Sequence, residues 1–202
     1  MTRRFSKFQQ HGQSPVMNAD ALSLLLRDGD LVFISVINPL FKHVASATHS
    51  RATHVGIAFF DETRGWLIAE STVPFAKFTP LHKYLRRSHD RWVAVKRVHQ
   101  DLNADQVTSL RRVSEKHMGR IYDFGFNYDS KKLFCSKFVF DVYRETLGLE
   151  IGSIQSFENL LQPETNQSLA FWKFWFFGAI PWSRRTVTPA SQLDDSSLFS
   201  VA

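Results

Sequence analysis

The sequence predicts an α+β domain in which helices surround a small, mostly antiparallel sheet. Strand-like apolar runs cluster between residues 31 and 98. Segments with helical periodicity or capping signals precede, interrupt and follow these runs. The 202 residues, 44% of them hydrophobic, are enough to bury one core, and a single cysteine excludes a disulfide within the chain. The fold must therefore be stabilised by packing.

The first half of the chain contains four strand signals and two short helix signals. ALSLLLRDG is typical of a short helix, and the following LVFISV has the composition of a buried strand. NPLFKHVASATHS suits a helix with Pro39 in its first turn. THVGIAFF (53–60) and GWLIAEST (65–72), joined by DETR, predict a hairpin, and WVAVKRV (92–98) predicts a further strand.

Two longer helices are predicted in the second half. Asn103 and Gln106 have the spacing of a capping box, which predicts a helix over residues 103–118. A second helix begins at Cys135 and ends before Gly148. Residues three or four apart share one face of this helix: Cys135, Val139, Val142 and Thr146. The cysteine therefore faces inward from the first turn.

Composition along the chain suggests one domain and a loose terminus. We expect residues 1–17, which are polar and lack periodicity, to form a flexible N-terminal arm, and residues 18–202 to form a single domain. No segment resembles a secretory signal or reaches the roughly 18 to 20 apolar residues of a spanning helix. These features predict a cytoplasmic protein.

Charge and motifs exclude several classes of function. The net charge of +6 is spread along the chain, so no nucleic-acid partner is expected. No phosphate-binding glycine loop occurs, and the six- and five-residue spacings of His43, His49 and His54 do not fit a zinc site. We therefore expect neither a metal nor another cofactor.

Cys135 is the candidate nucleophile. A thiol in the first turn of a helix is favoured as thiolate, because the helix dipole and the free N–H groups stabilise negative charge there. The same N–H groups could bind the oxyanion formed when a thiolate attacks a carbonyl. A free cysteine in an apolar helix is more often inert packing, so Cys135 alone leaves both interpretations open.

His54 and Glu70 are the candidate partners of this thiol. In THVGIAFF, His54 shares a face with Gly56 and Ala58, and these small residues leave room for another element to pack beside the histidine. If Phe59 or Phe60 pairs with Gly65 or Trp66 in an even-sum register, Glu70 lies opposite or diagonal to His54. A core histidine and a solvent-exposed glutamate remain the alternatives, since the sequence cannot set the register.

Five short motifs in order resemble the circularly permuted branch of the NlpC-type papain-like cysteine hydrolases, and more closely its bacterial YiiX/YebB-like group. The motifs are GDLVF, THVGIAF, WLIAEST, GRIYDFGF and LFCSKFVF, and the resemblance covers roughly residues 28 to 147, with the TPASQL segment as a further candidate. In that branch the histidine and its polar partner precede the cysteine, which is the order of His54, Glu70 and Cys135 here. The resemblance implies a papain-like fold in which the cysteine helix packs on an antiparallel sheet that carries the histidine.

The resemblance also implies an activity. Its relatives are amidases, cell-wall peptidases or acyltransferases that work through a thioester acyl-enzyme. By position, Cys135 would be the nucleophile, His54 the general base and then acid, and Glu70 the group that orients the histidine. Tyr122 in the YD step is a candidate substrate-binding residue or an aromatic packing beside the helix. After the cysteine and serine the group commonly has an acidic residue, and Lys137 here leaves the charge preference for substrate open.

Substrate and partners are less constrained by the sequence. The run FWKFWFFGAIPW (171–182) suits either a core element or a peripheral membrane contact, and core packing is favoured because contiguous exposed aromatics are rare. We expect a small-molecule, peptide or lipid substrate and an amide or ester scissile bond. The alternative is a non-catalytic lipid- or ligand-binding module that keeps the papain-like pocket. The oligomeric state is not indicated.

Overall fold

The computed structural model describes residues 19–161 and 169–202. The strands are β1 Leu31–Ile34, β2 His54–Asp61, β3 Gly65–Glu70, β4 Lys77–Pro80, β5 Val93–Val98, β6 Gln155–Ser156, β7 Arg185–Thr186 and β8 Leu198–Ser200. The helices are α1 Ala19–Ser23, α2 Pro39–Thr48, α3 Leu81–Leu85, α4 Ala104–His117, α5 Cys135–Leu147, α6 Phe157–Leu160, α7 Leu169–Trp175 and α8 Pro189–Leu193. The predicted arm, residues 1–17, lies outside the described residues, and the division into arm and single domain stays a prediction.

One antiparallel sheet organises the molecule. Its six strands have the order β4-β3-β2-β1-β5-β8, and each neighbouring pair is antiparallel. The predicted hairpin is β2 and β3, paired in the even-sum register in which Phe60 lies opposite Trp66. The remaining strands, β6 and β7, form a separate two-stranded sheet. The predicted α+β class is confirmed.

The cysteine helix packs on one face of the sheet. Apolar residues of α5, among them Phe138 and Val142, share a buried cluster with Val55, Ile57 and Phe59 of β2. These β2 residues point away from the face that carries His54, because successive side chains of a strand alternate. Helix α5 therefore does not pack against the small residues beside His54. Apolar residues of α1 and α3 cover that face of the sheet instead.

Helix ends are set by local signals. The capping box of α4 is present, since the Asn103 side chain accepts from the Gln106 N–H and the Gln106 side chain accepts from the Asn103 N–H at 3.0 Å. Helix α5 stops at Gly148, whose φ of 68° lies in the left-handed region that glycine adopts at little cost. The Tyr143 hydroxyl on α5 donates to the Gly29 carbonyl, which ties this helix to the turn before β1.

The aromatic run 171–182 divides between core and surface. Trp172 in α7 is 1% exposed and packs on Phe157, as core packing predicts. Phe174 and Phe177 are 81% and 100% exposed, so the favoured interpretation fails for these two side chains. Among the described residues, no helix is long and apolar enough to cross a membrane. The cytoplasmic location stays a prediction.

Candidate active site

His54 and Glu70 meet across the β2 and β3 hairpin. The strand register sets Gly56 in line with Glu70, so His54 lies one step diagonal to the carboxylate. The His54 Nε2 and Glu70 Oε2 atoms are 2.5 Å apart, and both side chains are buried. A Cβ at Gly56 would stand 2.4 Å from Ile68 and 3.4 Å from the Cβ of Glu70. Glycine at 56 thus makes room for the β3 side chains, which is why this face of the strand is small.

Glu70 has two further partners that the sequence analysis missed. Thr79 of β4 donates its hydroxyl to Glu70 Oε1 at 2.6 Å. Arg87, just after α3, donates from Nη2 to Glu70 Oε2, also at 2.6 Å. Neither β4 nor α3 was predicted, because each is short: β4 has four residues and ends in Pro80, and α3 has five residues and no side-chain cap. Thr79 could have been found only by predicting KFTP as a further strand beside GWLIAEST.

Cys135 is the first residue of α5, as predicted, and is 3% exposed. Phe134 occupies the N-cap position and its side chain accepts no hydrogen bond, so the N–H groups of the first turn lack a side-chain cap. The thiol lies near the imidazole of His54, and its charge raises the pKa of that imidazole. Because Nε2 of His54 bonds Glu70, Nδ1 is the nitrogen left for the thiol. The structure therefore brings Cys135, His54 and Glu70 together.

His54 and Glu70 stabilise each other in their charged forms. Burial lowers the pKa of His54, but the charge and hydrogen bond of Cys135, and then those of Glu70, raise it to about 9. Burial raises the pKa of Glu70, but its hydrogen bond to His54 and the charges of His54 and Arg87 lower it to about 2. Near neutral pH the imidazole is therefore protonated and the carboxyl ionised.

Tyr122 lies beside the cysteine and its hydroxyl is unsatisfied. The side chain is 2% exposed and packs against Phe124 and Phe126, and its hydroxyl has no hydrogen-bond partner among the residues that the structure describes. Burial raises the pKa of Tyr122 well above its usual value, and the charge on Cys135 raises it further. A buried hydroxyl without a partner is costly, and such a group usually has a functional reason.

Lys137 is turned away from the thiol. Its ammonium group donates to the carbonyl of Ser130 and, at 3.2 Å, to the carbonyl of Lys132. It also lies 5.7 Å from the ring centroid of Tyr128. Burial lowers the pKa of Lys137. This lysine holds the loop before α5 and does not present its charge beside Cys135.

A small cavity adjoins the cysteine. It has a volume of about 30 Å³, which is about the space of one water molecule. Its walls are mostly apolar and come from α2, α5, α6, α7 and the segment before α8. Cys135, Thr53 and Thr188 border it. A substrate that reached the thiol from this side would meet aromatic and aliphatic walls.

Metal ligands do not gather at this site or elsewhere in residues 19–161 and 169–202. No group of three or more His, Cys, Asp or Glu side chains in these ranges could hold a metal ion. Cys135, His54 and Glu70 instead use their polar atoms on one another. The described residues around Cys135 therefore do not fit a metal centre.

Comparison with known proteins identifies the family. A sequence profile described as permuted papain-like amidase enzyme, YaeF/YiiX, C92 family matches residues 25–202. The chain is 26% identical over 191 residues to the uncharacterized protein YiiX of Escherichia coli (strain K12), covering 94% of this chain and 92% of that protein. The crystal structure of a protein described as metalloprotein yiiX from Escherichia coli O157:H7 superposes with a TM-score of 0.79 at 27% identity, covering 87% of this chain and 96% of that one.

These similarities extend over most of both chains, and the fold agrees with them. The predicted resemblance to the YiiX-like group and the permuted papain-like fold are confirmed. The wider NlpC relationship stays a prediction. Because the profile spans residues 25–202, this protein belongs to the family of permuted papain-like amidase enzymes of the YaeF/YiiX type.

Proposed function

We propose that the protein is a thiol-dependent hydrolase or acyltransferase that cleaves an amide or ester bond through a thioester acyl-enzyme. Cys135 is the nucleophile, His54 the general base and then acid, and Glu70 the group that orients the imidazole. The observation that supports this assignment is the buried hydrogen bond between His54 Nε2 and Glu70 Oε2, with the Cys135 thiol close enough to the same imidazole to raise its pKa.

The reaction follows from these positions. The Cys135 sulfur attacks the substrate carbonyl carbon, and the thiol proton resides on His54. The imidazolium then gives that proton to the leaving amine or alcohol as the carbon–heteroatom bond breaks, which leaves a thioester. Neutral His54 next takes a proton from water, or from an acceptor nucleophile, which attacks the thioester. Collapse of the second intermediate releases the acid or transferred product and returns the proton to sulfur.

The oxyanion of each intermediate needs hydrogen-bond donors. The Cys135 N–H lies in the first turn of α5, which has no side-chain cap. The Phe134 side chain at the N-cap position has no acceptor atom that could bind this N–H in place of the oxyanion. We assign the second donor to the Tyr122 hydroxyl, since it is buried near Cys135 and has no partner in the structure. A donor held in place before the reaction stabilises the charge that develops in the transition state.

Trapping the acyl-enzyme tests the proposal. The full chain is incubated with p-nitrophenyl esters and matching anilides, quenched in acid and analysed by mass spectrometry. The expected result is an acyl mass on the Cys135 peptide that hydroxylamine removes and that is absent in Cys135→Ala. His54→Ala should slow release of p-nitrophenol by about 10²- to 10⁴-fold, whereas the exposed His99→Ala control should match the wild type. Turnover that persists in Cys135→Ala would rule out the thiol mechanism.

A non-catalytic binding module is the second candidate, and the exposed aromatic side chains favour it. Phe174 and Phe177 project from the end of α7 beside Lys173, an arrangement suited to a bilayer interface with anionic lipids. We propose that residues 173–177, the last residues of α7 and the turn after it, contact a membrane surface.

Vesicle sedimentation tests the membrane contact. Binding to vesicles of phosphatidylcholine with phosphatidylglycerol should weaken in the Phe174→Ser and Phe177→Ser double variant. Leu24→Ser, which also removes an exposed apolar side chain, is the matched control and should bind like the wild type. Equal binding of the double variant and the wild type would contradict the contact. Binding by Cys135→Ala with no acyl-enzyme in the wild type would favour the module over the enzyme.

A further inference from the structure

We propose that Arg87 is a positioning residue that neutralises the charge of Glu70. The buried carboxylate can then orient His54 without disfavouring the thiolate form of Cys135. This inference rests on the proposed function, because it concerns the reactive state of the same thiol. It adds a role for a residue that contacts neither the sulfur nor the imidazole in the structure. The argument starts from the position of the guanidinium.

The guanidinium of Arg87 is held on three sides. Nη2 donates to Glu70 Oε2 at 2.6 Å, and this is the oxygen that His54 Nε2 also contacts. Nη1 donates to the hydroxyl of Thr72 at 3.2 Å. The central carbon lies 4.9 Å from the centroid of the Tyr84 ring, in the range of a cation–π contact. Arg87 therefore stands at a fixed place on the far side of Glu70 from the histidine.

The charge balance of the reactive state explains why a cation is needed there. A thiolate at Cys135, an imidazolium at His54 and a carboxylate at Glu70 together carry one net negative charge, and all three side chains are buried. An uncompensated buried charge is strongly unfavourable. The guanidinium cancels it. A neutral amide in place of Glu70 would orient a histidine without creating this excess.

Within residues 19–161 and 169–202, Arg87 is the one Lys or Arg side chain that forms an ion pair with Glu70. The ionisable groups that act on His54 and Glu70 are Cys135, Arg87 and each other. The phenols of Tyr84 and Tyr122 also lie near the carboxylate, and burial raises the pKa of both well above the usual value, so both are neutral. The Tyr84 hydroxyl donates to the Val32 carbonyl at 2.8 Å and so stays neutral. Thr79 is uncharged. Lys77, the register partner of Glu70 in β4, is exposed and makes no ion pair with it.

The pH dependence of Cys135 alkylation by iodoacetamide tests the inference in the full chain. Removing a positive charge disfavours the thiolate, so Arg87→Met should move the midpoint of the alkylation profile up by about one pH unit, and alkylation below the midpoint should be about tenfold slower. Arg87→Lys keeps the charge and should hold the wild-type midpoint. Arg86→Met is the matched control, because it removes the neighbouring, exposed arginine and should leave the midpoint unchanged.

Each outcome decides between roles. A lower alkylation rate with an unmoved midpoint in Arg87→Met would overturn the inference and leave Arg87 as packing alone. If Arg87→Met does not fold, the same comparison is made between Glu70→Gln and the Glu70→Gln/Arg87→Met double variant. Glu70→Gln removes the carboxylate that Arg87 compensates, so the two midpoints should be nearly equal, and a midpoint about one pH unit higher in the double variant would overturn the inference. Failure of the proposed function is distinguishable, since His54→Ala would then have the same profile as the wild type.

Discussion

The carboxylate of Glu70 binds His54 and Arg87 through the same oxygen, with Oε2 lying 2.5 Å from the imidazole Nε2 and 2.6 Å from the guanidinium Nη2. The Glu70 carboxylate thus binds two cations, the His54 imidazolium and the Arg87 guanidinium, and of these the imidazolium can lose its proton. The third contact, from the Thr79 hydroxyl, occupies the other oxygen and fixes the plane of the group. We propose that the reactivity of Cys135 depends on this shared ion pair.

The protonation of His54 should report directly on its two neighbours. Burial alone lowers the pKa of His54, and Cys135 and Glu70 together raise it to about 9. We therefore expect a pKa clearly above 6.5 in the wild type, and a lower pKa in Cys135→Ala, because Cys135 is the larger of the two raising influences. NMR titration of the ring nitrogens measures both. A His54 that titrates near 6.5 in the wild type would contradict the ion pair.

Replacing Tyr122 by phenylalanine should separate activity from stability. The Tyr122 hydroxyl is buried and has no partner, so its removal should leave the free energy of unfolding unchanged or slightly higher. If the hydroxyl binds the oxyanion, Tyr122→Phe should lower kcat by about 10²- to 10³-fold. Urea unfolding and ester turnover on the same preparation measure the two effects. A loss of stability with unchanged kcat would assign the hydroxyl a structural role instead.

Lys137 should matter for folding more than for substrate charge. Lys137→Met leaves the carbonyls of Ser130 and Lys132 without their ammonium donor, which should cost roughly 1 to 3 kcal/mol of unfolding free energy. The exposed Lys132→Met is the matched control and should change it by less than about 0.5 kcal/mol. The relative rates on anionic and cationic esters should be the same in wild type and Lys137→Met. A reversed preference would show that the ammonium group acts on substrate.

His117 should make the protein acid-sensitive. Burial first, and then the charge of Arg120, lowers the pKa of His117 to about 4, and its Nδ1 has no hydrogen-bond partner. A histidine whose folded pKa lies below its unfolded pKa stabilises the fold above about pH 6.5, and this stability is lost as pH falls towards 4. The full effect is on the order of 3 kcal/mol. His117→Leu should reduce the loss of unfolding free energy between pH 7 and 4.5, whereas the exposed His99→Leu should not.

The candidate triad could be predicted because its signals are local. The two-residue period of β2 and β3 sets the faces of His54 and Glu70. The helical spacing of Cys135, Val139 and Val142 indicates α5, and Gly148 marks its end. The sequence did not determine the register between β2 and β3, which decides whether Glu70 lies beside His54. The β2–β3 pairing supplies it, with Phe60 opposite Trp66. The face on which α5 packs could not be predicted, since both faces of β2 are apolar apart from His54.

The contacts of Arg87 and Thr79 with Glu70 could not be predicted, because the chain must reverse direction to bring each residue to the carboxylate. Arg87 lies 17 residues from Glu70, after a five-residue helix without a side-chain cap. Thr79 reaches the carboxylate through the pairing of β4 with β3, and β4 has only four residues. The aromatic run shows the same limit, because composition alone does not separate the buried Trp172 from the exposed Phe174 two residues later. Tertiary context decides such positions.

The most direct test of the central claim is whether His54 activates Cys135. Cys135 is the one cysteine of the chain, so iodoacetamide alkylation reports on it alone. The rate at pH 9.5, where thiols ionise without help, corrects for access to the buried sulfur. In the wild type the rates at pH 7 and pH 9.5 should be similar. In His54→Ala, an unassisted thiol with a pKa of about 8.5 should react roughly thirtyfold more slowly at pH 7 than at pH 9.5. Equal rate ratios in the two proteins would contradict the account.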